Sequence, residues 1–310
     1  MLMLQTFLST IYQVFLPISL PVIGGALLRR FRGMDTKPIS MLALYVLSPA
    51  LIFTALFKAQ ISWSDITDTI LFTVINIVVL WGAAIAVGKM LALPAGERAG
   101  LTMVSTFTNS VNYGLPLVLL ALGQAGLDKA SVYVIVQMII VNTLGIYFAA
   151  RSQFTVKNAI LSVFKMPSIY AAALAAIARL TELHMPEALY KGFTLMADSY
   201  SPVVLAILGA QMIGVKRETL PPNHKKAFWA GIVIRLVAAP ALAYAVLICL
   251  SVKGTLFDVM FILASMPAAV NAVLLAEQFN AAPQFVSRCI LWTTLASFIV
   301  LPVILMVLRS

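Results

Sequence analysis

Residues Thr108 to Pro116 read TNSVNYGLP in the middle of an otherwise apolar segment. In hydrocarbon every backbone N–H and C=O must find a partner, so a broken helix persists only where it is buried or lines a cavity. Pro116 removes a donor and clashes with the preceding turn, and Gly114 tolerates unusual dihedrals, so the helix is expected to unwind there. A second run, Ser265 to Asn271, repeats the theme with Pro267 and Asn271. Two unwound helices crossing near the bilayer centre would offer free N–H groups and half-helix N-termini to the oxygens of an anion. Asn109, Asn112 and Asn271 add amide donors, and Tyr113 either lines such a site or simply packs. The competing reading makes these residues kinks and interhelical hydrogen bonds. That structural reading is preferred for Asn76 and Asn142, which stand alone in their apolar runs.

Charge inside an apolar run is costly enough to be treated as functional by default. Arg235 lies about 13 Å of helix beyond Lys226, deep enough to be a counter-charge for an anion or the partner of a carboxylate. Asp198 lies about 10 Å inside its run, where it would accept a proton or sit hydrogen-bonded. Asp258, Glu277 and Arg288 fall near the ends of runs and are read as interfacial. His184 and His224 read as loop residues without ligand partners, so no metal site is expected. Cys249 and Cys289 sit in apolar stretches and behave as small apolar residues.

The elements that must position these residues follow from composition. The 310 residues are 62% hydrophobic and 10% charged, with a mean hydropathy of +1.00. That is too little polar surface for a soluble globule and reads as an integral membrane protein. The net charge of +10 falls between apolar runs, where it sets topology, so nucleic-acid binding is excluded. Apolar runs divide the chain into ten expected spans, near 7–28, 38–57, 66–88, 99–123, 130–150, 166–180, 192–214, 228–250, 259–279 and 285–308. The first run has no basic residue before it and ends in Arg29 and Arg30, so it reads as a retained span rather than a signal peptide.

Basic residues vote on orientation. The Arg29 to Lys37 loop, Lys89 with Arg98, the Arg151 to Lys165 link and the Lys216 to Lys226 loop share one side. Lys58, Lys129, Arg179, Lys191, Lys253 and Arg309 share the other. The richer side is expected in the cytoplasm, with both termini outside. Prolines suggest a duplication. Pro17 matches Pro167, Ser48 and Pro49 match Ser201 and Pro202, and Pro116 matches Pro267, all at an offset of about 150 residues. Five spans per copy is an odd number, so the second copy would be inverted. The fold class expected is therefore all-α integral membrane, with ten transmembrane helices as two inverted five-helix repeats (1–152 and 153–310) and broken, crossing helices 4 and 9.

The Asn109 to Pro116 run, Arg235 with Pro240, and Met266 to Ala276 resemble the auxin efflux carrier family in its prokaryotic, malate-permease-like branch. Ser201, Pro202 and Gly209, and Thr293 to Pro302, extend the likeness over essentially the whole chain. The resemblance implies a fold related to the bile acid sodium symporters. It also implies a scaffold of spans 1, 2, 6 and 7 and a transport domain of spans 3–5 and 8–10 that moves like an elevator. Carried over by position, the substrate residues are Asn109, Asn112, Tyr113, Pro116, Pro267 and Asn271, with Arg235 and Asp198 as candidate charge partners. The family moves organic anions such as malate, malonate or auxin. The acidic residue that sodium-coupled relatives keep in the second crossover is replaced by Ala268 and Ala269, which puts sodium coupling in doubt.

The expectation is thus a cell-membrane secondary carrier of a small mono- or dicarboxylate, driven by the proton gradient or the membrane potential. Its partners would be the organic anion and the lipid bilayer; a homodimer is left open, and no cofactor is expected. A sodium-coupled organic anion symporter and an anion channel are the alternatives. An intramembrane enzyme would need a nucleophile with a base or a metal cluster at depth, and only isolated Ser, Thr and Asn residues are available.

Overall fold

The computed structural model describes residues 8–9, 11–59, 62–141, 164–183, 185–213, 221–278 and 281–308. Asn142, Arg151, Lys157, His184, Lys216, Arg217 and Arg309 lie outside these residues. The described chain is helical throughout, and its one β-type feature is an isolated antiparallel bridge between Thr108 and Ala268. Seven helices among the described residues are long and apolar enough to cross a membrane. These are α1 (Ile11–Arg32), α2 (Thr36–Phe57), α3 (Trp63–Met90), α5 (Ser110–Ile140), α7 (Glu187–Ile213), α8 (Pro222–Cys249) and α11 (Pro283–Leu308). Shorter helices complete the order: α4 (Ala95–Thr106), α6 (Pro167–Leu180), α9 (Gly254–Ala264) and α10 (Asn271–Gln278). Large apolar side chains such as Leu20, Ile23, Val78, Val237 and Ile299 stand exposed on the outer faces, as a lipid-facing bundle requires.

Local sequence sets the ends and the irregularities. Asp35 accepts a hydrogen bond from Lys37 N at the start of α2, and a Ser62–Asp65 capping box opens α3. Gly33, at φ 64°, closes α1 in the left-handed region that favours glycine. Gly123, at φ 69° and ψ −161°, breaks α5 into two helical stretches. That is where the sequence placed the boundary between spans 4 and 5.

Four prolines each follow a five-residue π turn: Ile11–Phe15 before Pro17, Ala43–Leu47 before Pro49, Ser110–Gly114 before Pro116 and Ile234–Ala238 before Pro240. A proline ring collides with the carbonyl four residues back, and widening the turn by one residue relieves the clash. Accordingly Ser48 N bonds to Ala43 O, Leu115 N to Ser110 O and Ala239 N to Ile234 O, all at a spacing of five. Pro202 and Pro302 sit inside α7 and α11 without such a turn. The prolines matched across the chain therefore do not share local geometry. Pro167 opens α6, Pro202 lies in regular helix, and Pro267 lies in the non-helical link between α9 and α10.

The helices pack in two groups. In the first, α1 lies along α7, and α2 lies against α6 and α7. Gly25 and Gly209 make the α1–α7 crossing close: a Cβ on Gly25 would sit 1.8 Å from Ala206 O, and one on Gly209 would sit 1.8 Å from Val22 O. Ser48 and Ser168 share a buried hydrogen bond of 3.2 Å between α2 and α6. In the second group α3 packs on α4, α5 and α8, α5 packs on α9, and α11 packs on α4, α8 and α10. Thinner contacts join the groups, chiefly α7 against the start of α5 and α2 against the rest of α5. Among them Tyr200, fully buried on α7, donates to Val111 O at 3.2 Å.

Candidate substrate site at the crossing of two broken segments

The helix α4 ends at Thr106, and Phe107 turns the chain into an extended conformation at φ −99° and ψ 121°. The link after α9 does the same from the other direction, and the two segments pair. Asn109 N donates to Pro267 O at 2.9 Å, and Ala269 N donates to Phe107 O at 2.9 Å. Ala268 N donates to Thr293 Oγ1 on α11 at 3.2 Å. The prolines thus free backbone groups that cannot be left bare in hydrocarbon, and the crossing satisfies part of them. Asn109 O then accepts from Tyr113 N and Gly114 N, at 3.2 and 3.0 Å, which starts the π turn of α5.

Side chains lock this arrangement in a directed chain. Gln137 Nε2 donates to Thr108 Oγ1 at 2.6 Å and to Thr108 O at 3.2 Å. The Thr108 and Ser110 hydroxyls lie 2.6 Å apart, and because the single Ser110 proton goes to a carbonyl, Thr108 is the donor of this pair. Ser110 in turn donates to Leu263 O at 3.3 Å, the penultimate residue of α9. Two amide atoms at the crossing, the donor Asn109 Nδ2 and the acceptor Gln137 Oε1, are buried without a hydrogen-bond partner among the described residues. Buried amide atoms of this kind cost free energy unless something pairs with them.

Both amides line a cavity of about 110 Å³ together with Asn112, Asn271 and Thr108. Its opposite wall comes from the first packing group, through Leu44 and Tyr45 of α2 and Lys165 to Ser168 at the start of α6. Asn109 is 3% exposed, Asn112 is half-buried and Asn271 is exposed at the first turn of α10. A volume well under the roughly 300 to 1,000 Å³ of drug-sized pockets suits a ligand of a few heavy atoms. A larger cavity, about 470 Å³, lies beyond Val270 and is lined by Arg29, Gln211, Glu277, Arg288 and Thr294. It is bigger, but Asn109, Asn112 and Asn271 gather at the smaller one.

Four half-helix ends meet here. The N-termini of α5 and α10 begin at Ser110 and Asn271, and the C-termini of α4 and α9 end at Thr106 and Ala264. Arg235, fully buried, donates from Nη1 to Ser105 O at 2.9 Å and from Nη2 to Ala264 O. The negative ends are therefore occupied by a cation, and the positive ends face the amide-lined cavity.

A family model for membrane transport proteins matches residues 11–305. The chain belongs to this family, the auxin efflux carrier family that its motifs resemble. It is a multi-pass membrane transporter. It is similar to an uncharacterized transporter of Methanothermobacter thermautotrophicus, with 26% identity over 96% of this chain and 96% of that protein. A second uncharacterized transporter, from Methanocaldococcus jannaschii, is 24% identical over 86% of this chain and 87% of its own length.

The residues singled out in the transporter's sequence do not all reach the cavity. Asn109, Asn112 and Asn271 do. Tyr113 is fully buried, stacked on Phe298 with ring centroids 6.0 Å apart and its hydroxyl 3.5 Å from Ser297 Oγ, so it packs the crossing from behind. Pro116 and Pro267 are buried and act through the backbone, one by forcing the π turn and the other through its carbonyl. Arg235 meets carbonyl ends rather than a carboxylate or the cavity. Asp198 is exposed on α7, away from the cavity. Asn76 is buried, its Oδ1 has no partner among the described residues, and it does not line the cavity. His224 is helical rather than in a loop, in α8, with Nε2 3.4 Å from Glu97. Gln137 was missed. The same signal that flagged Asn76, a lone amide in an apolar run, was present there.

Proposed function

We propose that this transporter is a secondary carrier of a small organic anion, a mono- or dicarboxylate such as malate or malonate. The observation that carries the reading is the pairing of free donors with free helix N-termini. Asn109 Nδ2 has no partner among the described residues and lies with Asn112 and Asn271 beside the first turns of α5 and α10. A carboxylate accepts from amides and helix N-termini alike, and charge-assisted hydrogen bonds are the strong ones. The ten-span reading, with inverted repeats 1–152 and 153–310, draws support from the packing. Exchanging span 1 with 6 and span 2 with 7 turns the α1–α7 contact into the α2–α6 contact, and both are extensive. The elevator reading, with spans 1, 2, 6 and 7 as scaffold, is supported by the thin contacts between the two groups and by a cavity walled from both. Proton or voltage drive completes the proposal, with both termini outside.

The test is counterflow in proteoliposomes with radiolabelled malate and malonate. Uptake accelerated by the unlabelled acid inside marks a carrier. Flux that follows the voltage without such acceleration marks a channel, and no flux of either acid or of lactate, pyruvate and succinate overturns the anion reading. Orientation has its own check, in a chain with Cys249 and Cys289 replaced by alanine. A cysteine at Ser310 should react with an impermeant thiol reagent in intact cells, and one at Gly33 should not. The reverse pattern inverts the topology.

A further inference from the structure

Broken-helix transporters commonly hold a coupling cation at half-helix C-termini and unwound carbonyls, where several oxygens and the negative helix ends converge. In this chain that place is taken by a side chain. Arg235 bonds to Ser105 O near the end of α4 and to Ala264 O at the end of α9, so one guanidinium closes both negative ends at once. It is 0% exposed, and none of the ion pairs among the described residues includes it. A buried cation without a carboxylate is otherwise hard to account for, since such charges are retained only when paired or well hydrogen-bonded. The carbonyl ends supply the compensation at Nη1 and Nη2, while Nε has no partner among the described residues. The π turn at Ile234–Ala238, forced by Pro240, bears the side chain to that depth. A guanidinium suits the task because it stays charged and presents a rigid fork to two acceptors.

We propose that Arg235 is a tethered cation standing where a dissociable coupling ion would bind. It would neutralise the C-terminal ends of α4 and α9 throughout the cycle, so that an anion binds the facing N-terminal ends without sodium. This rests on reading the crossing as the substrate site. Arg235 is then a positioning residue: it holds the two broken ends together and touches no substrate. The consequence is specific. Removing the side chain leaves an electronegative, carbonyl-lined hole that a small cation from solution can fill.

The experiment needs no substrate, so its failure is separable from that of the carrier reading. Melting of the purified protein is followed in choline chloride, sodium chloride and guanidinium chloride at equal, low-millimolar-to-50 mM concentrations and fixed ionic strength. Wild type should melt at the same temperature in all three. Arg235→Ala should melt lower in choline and recover about 2 to 4 °C or more in guanidinium, saturably, because a ligand bound by the folded state alone stabilises it. A saturable rise for wild type in sodium overturns the proposal, as does an alanine variant that responds to guanidinium no more than wild type. If Arg235→Ala does not accumulate, Arg235→Lys and Arg235→Gln decide, both in choline. A tethered charge requires the lysine variant to be clearly the more stable; equal melting, or a more stable glutamine variant, overturns it.

Discussion

Asn109→Ala, Asn112→Ala and Asn271→Ala should each weaken binding of the carried anion by about 10- to 150-fold. One hydrogen bond to a charged group is worth roughly 1.5 to 3 kcal/mol, which converts to that range. Asn109 makes the sharpest case because its Nδ2 has no partner among the described residues. Truncating it removes an unsatisfied buried donor, so the melting temperature without ligand should hold or rise slightly while affinity falls. Loss of a structural hydrogen bond would do the opposite, lowering stability first. Calorimetry with malate and malonate on these variants, beside unfolding curves of the unliganded proteins, reads both quantities. Asn76→Ala, remote from the cavity, should bind as wild type does. If all three cavity variants keep wild-type affinity, the anion is held elsewhere.

Gly25→Ala and Gly209→Ala should each be severely destabilising, for a reason confined to one helix crossing. The added methyl would lie 1.8 Å from a backbone oxygen in both cases, Ala206 O for the first and Val22 O for the second. Backbone cannot rotate away as a side chain can, so α1 and α7 must separate by more than an ångström and lose packing along their shared length. Small residues at such a crossing let helices approach when lipid supplies no hydrophobic drive between them. A cost at or above the upper end of the usual 1 to 3 kcal/mol of overpacking corresponds to a drop of about 5 °C or more. Gly24→Ala, whose Cβ would meet nothing within 4 Å, is the internal control. Because one separation of the helices accommodates both methyls, the double variant should melt well above the sum of the two losses. Strict additivity would mean that the two glycines act independently.

The same crossing explains why the two packing groups are unequally knit. The α1–α7 and α2–α6 contacts are close and extensive, whereas the join to the rest passes through a few buried contacts such as Tyr200 to Val111 O. Arg235 tightens the second group in a different way, by bonding α8 to the ends of both broken helices. One group is thus held by small residues and the other by a buried charge.

Composition and hydropathy by themselves determined that the chain is an all-helical membrane protein, because nothing else accommodates 62% hydrophobic residues with 10% charge. They also located the two breaks, since proline, glycine and amides in the middle of apolar runs have few other uses. The family was legible in the same motifs. What these breaks do was decided only in three dimensions. Proline announces a missing donor, but whether the turn widens, as before Pro116, or stays regular, as at Pro202, depends on neighbours the sequence does not rank. Depth alone made Arg235 a candidate counter-charge for an anion. Its partners are backbone carbonyls 130 and 29 residues away in sequence, and carbonyls carry no residue-type signature. Tyr113 and Gln137 exchanged roles for the same reason. Neighbouring positions on a broken helix point in directions set by the π turn and the crossing, so the aromatic turned into the core while a remote amide reached the cavity. Residue type states what a side chain can bond to, and the tertiary fold alone states what it meets.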